Sequence, residues 1–280
     1  MTELYQKIKT AIQDADAILI GASNGLSISE GYNIFTDNAW FQKNFGDFRS
    51  QYGIHSILQG SFFQFPSEEV RWAFFSRLIS KKSYLEQPSQ MMKNLYTLIK
   101  EKDYYVLTSN TEDHFVPVGF SREKVFEMEG RMTQLRCGSW CCEDVYENRN
   151  NILRLAEAEK DGRVPASLIP RCPKCGDFMT TNIADSNFFF QTEHFRQKVQ
   201  DYQKFIQKYD GKKLVILEFG VGWRNNMIKK PLMELTAAQP QATYITFNKG
   251  EVYIPAEIAA KSIGVDGDIA TALDGILKVR

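Results

Sequence analysis

The sequence predicts an α/β fold: a parallel sheet with helices on both faces, carrying a helical insertion and a smaller cysteine-rich module. Three observations predict it. Apolar helical stripes alternate with short apolar runs. Each run stops at a polar or glycine-bearing loop, and the alternation is broken twice, once by an aromatic segment and once by a cysteine cluster.

Leu4, Ile8, Ala11 and Ile12 stripe a first helix that leads into the strand Ala17-Ile18-Leu19-Ile20, which stops at Gly21. Residues 32–90 then read as an aromatic helical insertion. Trp40, Phe41, Phe45, Phe48 and Tyr52, followed by Phe62, Phe63 and Phe65, are enough for a small core of its own or a docking surface. Leu95, Leu98 and Ile99 stripe the next helix, followed by Tyr104-Tyr105-Val106-Leu107 and the polar Thr108-Ser109-Asn110-Thr111-Glu112. Residues 131–185 hold the cysteines. Phe188-Phe189-Phe190 with Phe195, Val199, Tyr202 and Ile206 reads as a strand end running into a helix with a core face. Two more apolar runs close the series, Leu214 to Phe219 ending at Gly220 and Thr243 to Phe247 ending at Asn248. Ligands of a parallel α/β sheet bind at the carboxyl ends of strands, so these four loops are expected to line one crevice. The resulting division is a Rossmann-like domain of residues 1–31, 91–130 and 186–280, the helical insertion 32–90, and a zinc-binding module 131–185.

The zinc expectation comes from Cys137, Cys141, Cys142, Cys172 and Cys175. Cys172-Pro173-Lys174-Cys175 has the two-residue spacing with which thiolates grip one face of a tetrahedral ion, and Gly176 supplies the permissive backbone behind it. The other half is looser and offers Cys137 with Cys141 or Cys142. Cys137, Cys141, Cys172 and Cys175 are the favoured set. Four thiolates leave no open coordination position, so the ion serves structure. The alternative is a disulfide or a set of buried reduced thiols.

Thirty-four basic and thirty-four acidic residues cancel, which removes any general electrostatic reason to expect nucleic acid or an anionic membrane as partner. The first residues, Met1 to Lys7, lack the apolar core of a signal segment, and no later stretch runs long enough without charge to span a bilayer. The expectation is a soluble cytoplasmic protein.

Gly21-Ala22-Ser23-Asn24-Gly25-Leu26-Ser27 follows the first strand. Its glycines would let backbone approach a pyrophosphate, with the positive end of the next helix aimed at it, although it lacks the G-x-G-x-x-G spacing.

In their order along the chain, these stretches resemble the sirtuins, a family of NAD-dependent enzymes. The sirtuin Gly-Ala-Gly loop with a following Ser is similar to Gly21, Ala22, Gly25 and Ser27, lengthened by two residues. Thr-Gln-Asn-Ile-Asp is similar to Thr108-Ser109-Asn110-Thr111-Glu112, with Glu in place of Asp. Glu-Leu-His-Gly matches Glu127-Met128-Glu129-Gly130, so the catalytic histidine has become Glu129. Gly220-Val221-Gly222, Asn248 and Gly267-Asp268 resemble the later nucleotide motifs. The lengthened loop, the replacement of Pro-Asp-Phe-Arg by Asn33-Ile34-Phe35-Thr36, the Asn44 to Phe48 segment and the missing histidine resemble class M sirtuins.

That resemblance implies a macrodomain-linked protein ADP-ribosyltransferase that uses NAD, with a lipoylated carrier protein of the glycine-cleavage H type as acceptor. It implies that Asn110 positions ribose and nicotinamide, that Glu112 stands at the nicotinamide amide, that Ser27 and the amides of Ala22 and Gly25 hold phosphates, and that Ser23 belongs to the cofactor set. Phe35, Gly220, Val221, Gly222, Asn248, Lys249 and Asp268 complete the cofactor set, and Glu129 orients ribose hydroxyls or the acceptor. On the blander side, Asn110 is a helix-capping turn residue, Glu129 and Lys249 are solvated, and His114 is a packed or surface histidine. The lost imidazole makes deacylation weak or absent, since activating a ribose hydroxyl suits a group titrating near neutrality. Breaking the nicotinamide–ribose bond needs no such base. The rival functions are an NAD hydrolase, an NAD-sensing zinc interaction protein, and a weak sirtuin-type deacylase.

Overall fold

The computed structural model describes residues 2–223 and 225–279. In chain order the elements are α1 (Thr2–Asp14), β1 (Ala17–Ala22), α2 (Asn24–Ser29), α3 (Ala39–Tyr52), α4 (Ile57–Ser61) and α5 (Glu68–Ile79), which runs into a π-helical turn (Ser80–Leu85). Next come α6 (Gln90–Ile99), β2 (Asp103–Thr108), β3 (Val125–Glu127), β4 (Gly130–Cys137), β5 (Val145–Glu147), α7 (Arg149–Ala158) and β6 (Met179–Ile183). The chain closes with α8 (Glu193–Lys208), β7 (Leu214–Phe219), α9 (Lys229–Ala238), β8 (Thr243–Phe247), β9 (Ser262–Val265) and α10 (Ile269–Lys278).

Six strands form one parallel sheet in the order β3-β2-β1-β7-β8-β9. Alternation along β1 explains its two covered faces: Ile18 and Ile20 pack with Ile8, Leu95 and Leu273 from α1, α6 and α10, while Ala17 and Leu19 pack with Phe205 and Leu232 from α8 and α9. Ala22 pairs with Thr108 on one side and Phe219 on the other, and Phe219 with Phe247. The carboxyl ends of β1, β2, β7 and β8 therefore stand level. The chain winds away from β1 in both directions, so the loops after β1 and β7 flank the switch point where such sheets bind ligands. The fully buried Glu218 inside this core is matched: it accepts from Lys229 at 2.6 Å and from the Thr246 hydroxyl at 2.9 Å.

A second lobe holds the antiparallel sheet β5-β4-β6 and helices α3, α4, α5 and α7. Helix α5 buries most of its surface, Trp72, Phe74, Phe75, Leu78 and Ile79 included, and its charged Glu68, Glu69, Arg71 and Arg77 are only partly buried. Phe41, Phe45, Phe48 and Phe74 share one cluster with Leu135, Cys137, Ile152 and Cys172.

Four details differ from the sequence reading. Strand β1 passes through Gly21 to Ala22, and α2 begins at Asn24 inside what read as a loop. The short edge strands β3 and β9 were not foreseen. Residues 188–190 belong to a turn before α8 and not to a strand, since the turn Phe189–Gln191 leads directly to the Thr192 cap. The aromatic insertion makes no core of its own; it shares one with the cysteine segment. Among the described residues, no helix is long and apolar enough to cross a membrane.

Candidate active site

Two adjoining cavities open at the level of the strand ends. The larger, about 710 Å³, is lined by Ser23, Asn24 and Gly25 after β1, by Gly220, Gly222 and Asn225 after β7, and by Asn248 and Glu251 after β8. The smaller, about 160 Å³, ends at Ser109, Thr111 and Glu112 and is walled by Tyr32, Ile34, Leu58 and Phe62 of the second lobe. Asn24, Phe35 and Glu129 line both. The two cavities are thus one crevice with a waist.

The floor of the larger part is backbone packed on backbone. Gly25 N–H donates to the Gly220 carbonyl at 3.0 Å. A Cβ on Gly25 would lie 2.5 Å from the Gly220 Cα, and Gly220 has φ +60. These glycines are needed first for the contact between the two loops. Ser23 accepts from the Ser109 hydroxyl at 2.8 Å and from Asn225 at 3.4 Å, which ties three strand ends together. Asn248 donates to the Val221 carbonyl at 3.1 Å and steadies the far wall.

The narrow end is built from buried polar groups. Asn110, 2% exposed, donates to Ser27 and to Glu112 Oε1 at 3.1 Å, and its Oδ1 accepts from the Thr108 hydroxyl at 3.1 Å. Ser27, on α2, donates to Glu112 Oε1. Glu112 is 4% exposed, and its cavity-lining carboxylate is held by neighbours on two elements. Glu129 is half-buried at the waist. Burial, with no cation to offset it, raises its carboxyl above the usual range. Its backbone is fixed by Ala184 N–H donating to its carbonyl at 2.9 Å and by Gly130, whose φ of +77 leaves no space for a side chain against the Asn182 carbonyl.

Of the expected site residues, Ser23, Gly25, Phe35, Glu112, Glu129, Gly220, Gly222 and Asn248 line the crevice. Ala22, Ser27, Asn110 and Val221 sit directly behind it, buried. Gly21 faces α9, where a Cβ would meet Leu232 at 2.3 Å. Lys249 is exposed, and Asp268 caps α10 by accepting from Thr271 N–H at 2.8 Å; neither lines either cavity. The sequence reading missed Asn24, Asn225, Asn226 and Glu251. The signal available for Asn225 and Asn226 was a pair of amides three residues beyond Gly222, in a loop already marked by its glycines.

At the other lobe, the sulfurs of Cys137, Cys141, Cys172 and Cys175 all lie within 4.8 Å of one another. Cys137 and Cys175 are 3.6 Å apart, as are Cys141 and Cys172. Tetrahedral zinc with Zn–S bonds near 2.3 Å sets its sulfurs about 3.8 Å apart, so the four fit such an ion. All five cysteines are free thiols, and Cys142 lies outside the convergent set.

A level-ended parallel sheet with a glycine-floored crevice at its switch point and an inserted four-thiol lobe is the class of fold found in Sir2 proteins. Solved structures share that fold: a Sir2 homologue in complex with NAD aligns with a TM-score of 0.60 and 15% identity over 97% of this chain and 92% of that one. A Sir2 homologue mutant bound to ADP-ribose aligns at 0.59 and 13% identity, covering 98% and 95%. No protein-family model matches the chain. The "Protein ADP-ribosyltransferase" of Staphylococcus aureus strain Mu50 is 31% identical over 99% of this chain and 88% of its own length. The chain belongs to that family, the sirtuin-type protein ADP-ribosyltransferases. A Fusarium oxysporum protein named "Probable bifunctional ADP-ribose hydrolase/ADP-ribosyltransferase" is 26% identical over 95% of this chain, which spans 46% of that protein.

Proposed function

We propose that the crevice binds NAD, releases nicotinamide and passes ADP-ribose to a side chain of a protein acceptor. The observation that carries this reading is the waist. A roomy compartment lined by glycine backbone and amides meets, at Glu129, a narrow one ending in the Asn110–Ser27–Glu112 network. About 710 Å³ lies within the range of roughly 300–1,000 Å³ common for small-molecule sites.

In this reading the Gly25 and Gly220 floor, Ser23, Asn225, Asn248 and Glu251 hold the adenosine and phosphates. Glu112, fixed by Ser27 and Asn110, holds the nicotinamide and its ribose. Cleavage breaks the bond from the anomeric carbon to the ring nitrogen, and the bonding electrons leave with neutral nicotinamide. Positive charge developing at the sugar is favoured by the carboxylates of Glu112 and Glu129. The acceptor's nucleophilic atom then bonds to that carbon and gives up its proton. Glu129, whose carboxyl is raised by burial, stands at the waist to accept it. The four thiolates would hold zinc, which supplies a structural cross-link and no open coordination site.

A lipoylated carrier protein is the acceptor this reading favours. The class M resemblance supports it, and so does the apolar mouth formed by Ile34, Phe35, Leu58 and Phe62, which suits an apolar arm. A macrodomain protein as functional associate is supported by the Fusarium relative, whose name joins an ADP-ribose hydrolase to an ADP-ribosyltransferase in one chain. A cytoplasmic location fits both.

The test is labelled NAD with a lipoylated carrier protein, measuring nicotinamide release and label on protein. Wild type should label the carrier, and Asn110→Ala should lower nicotinamide release by about 100-fold or more while metal content stays unchanged. Nicotinamide release without labelled protein would replace transfer by hydrolysis, and neither product would leave a binding protein.

A further inference from the structure

His114 lies behind Glu112, on the side away from the crevice, and no step above uses it. Its Nδ1 donates to Glu30 Oε2 at 2.5 Å and lies 3.6 Å from Glu112 Oε1. The side chain is 9% exposed, and Nε2 is buried with no partner among the described residues. Glu30, at the end of α2, is held on its other oxygen by the Ser89 hydroxyl at 2.6 Å. The imidazole is therefore clamped between two buried carboxylates from different elements, one of which carries the Ser27 and Asn110 contacts at the narrow end.

We propose that His114 is a positioning residue for nicotinamide-end binding: as an imidazolium it sets one positive charge between Glu30 and Glu112, offsets their mutual repulsion and holds the Glu112 carboxylate in the place where NAD meets it. This rests on the reading of the crevice as an NAD site. Two carboxylates sharing one buried ring repel each other unless the ring is charged, and a repelled Glu112 turns away from Ser27 and Asn110. Lys82 also favours the Glu30 carboxylate and opposes the charged ring, while its own ammonium is paired with Glu86 at 3.1 Å; Asp113 is paired with Arg122 at 2.6 Å. Burial opposes the charged ring, but Glu112 and Glu30 outweigh it and raise the His114 pKa above its ordinary value. The same partnership lowers Glu30 against its own burial.

The sign follows. A histidine raised in the folded state is charged below its folded pKa and loses that charge as pH rises through it. NAD affinity should therefore fall on the alkaline side and stay flat below. The experiment is calorimetric titration of the full-length protein with NAD across pH, for wild type, His114→Gln and His114→Gln/Glu30→Gln, each checked for folding by thermal melt. Wild type should lose about tenfold in affinity across the alkaline limb, as expected for one hydrogen bond to a charged group. His114→Gln should bind about tenfold more weakly at neutral pH with no alkaline limb. The double variant, which removes one carboxylate with the cation, should recover most of that loss. A flat wild-type profile, an alkaline limb that survives in His114→Gln, or a double variant no better than the single would overturn the assignment and leave the NAD reading standing. A folded wild type that does not bind NAD at all would overturn both.

Discussion

The two lobes are stabilised by different means. The parallel-sheet lobe is held by aliphatic strands covered on both faces, with ladder hydrogen bonds running from β3 to β9. The inserted lobe has a three-stranded sheet, an aromatic core contributed by two segments far apart in sequence, and four converging thiols. The first lobe supplies the nucleotide floor and the second supplies the mouth and one wall. The two sides of the crevice thus rest on separately stabilised bodies.

Three substitutions probe that contrast, from the largest effect to the smallest. Cys172→Ser should break the inserted lobe, because metal binding and folding are coupled and structural zinc contributes on the order of 10 kcal/mol. Metal analysis should show loss of stoichiometric zinc, and limited proteolysis should cut within residues 131–185 while the sheet lobe resists. Retained metal would mean that the ligand set is wrong. Gly25→Ala should instead damage the sheet lobe alone. Its Cβ meets Gly220 backbone at 2.5 Å, so the floor must part at a cost of about 1–3 kcal/mol, read from thermal unfolding with metal content unchanged. A melt equal to wild type would show that the two loops are not pressed together. Cys142→Ser should change neither lobe by more than about 0.5 kcal/mol, since Cys142 stands outside the thiol set. Loss of zinc there would place Cys142 among the ligands instead of Cys141.

The same contrast governs how much the sequence discloses. The central strands are legible because a strand buried on both faces must be a continuous apolar run: Leu214 to Phe219 has no other economical reading, even with Glu218 inside it. Edge strands β3 and β9 are only 3 and 4 residues long and half-exposed in part, and so carry no such run. The cysteine spacing reveals a metal site but not its core, because Phe45 and Ile152 come together only through tertiary packing. Within the crevice, the loop glycines are readable by position. Their work is not: Gly21 serves α9, and Gly25 and Gly220 serve each other. Asp268 shows the same limit, since its motif position fits a nucleotide contact while its carboxylate caps a helix. His114 looks ordinary in sequence because Glu30, the carboxylate its Nδ1 meets, lies 84 residues away along the chain and reaches it only when α2 and the loop after β2 fold together.

The press of Gly25 against Gly220 also fixes one side of the crevice. Two loops locked backbone to backbone form a single stiff sill, with no slack to swing over an incoming dinucleotide. The opposite wall is carried by the inserted lobe, and Phe35 and Glu129 mark the line where that wall meets the sill.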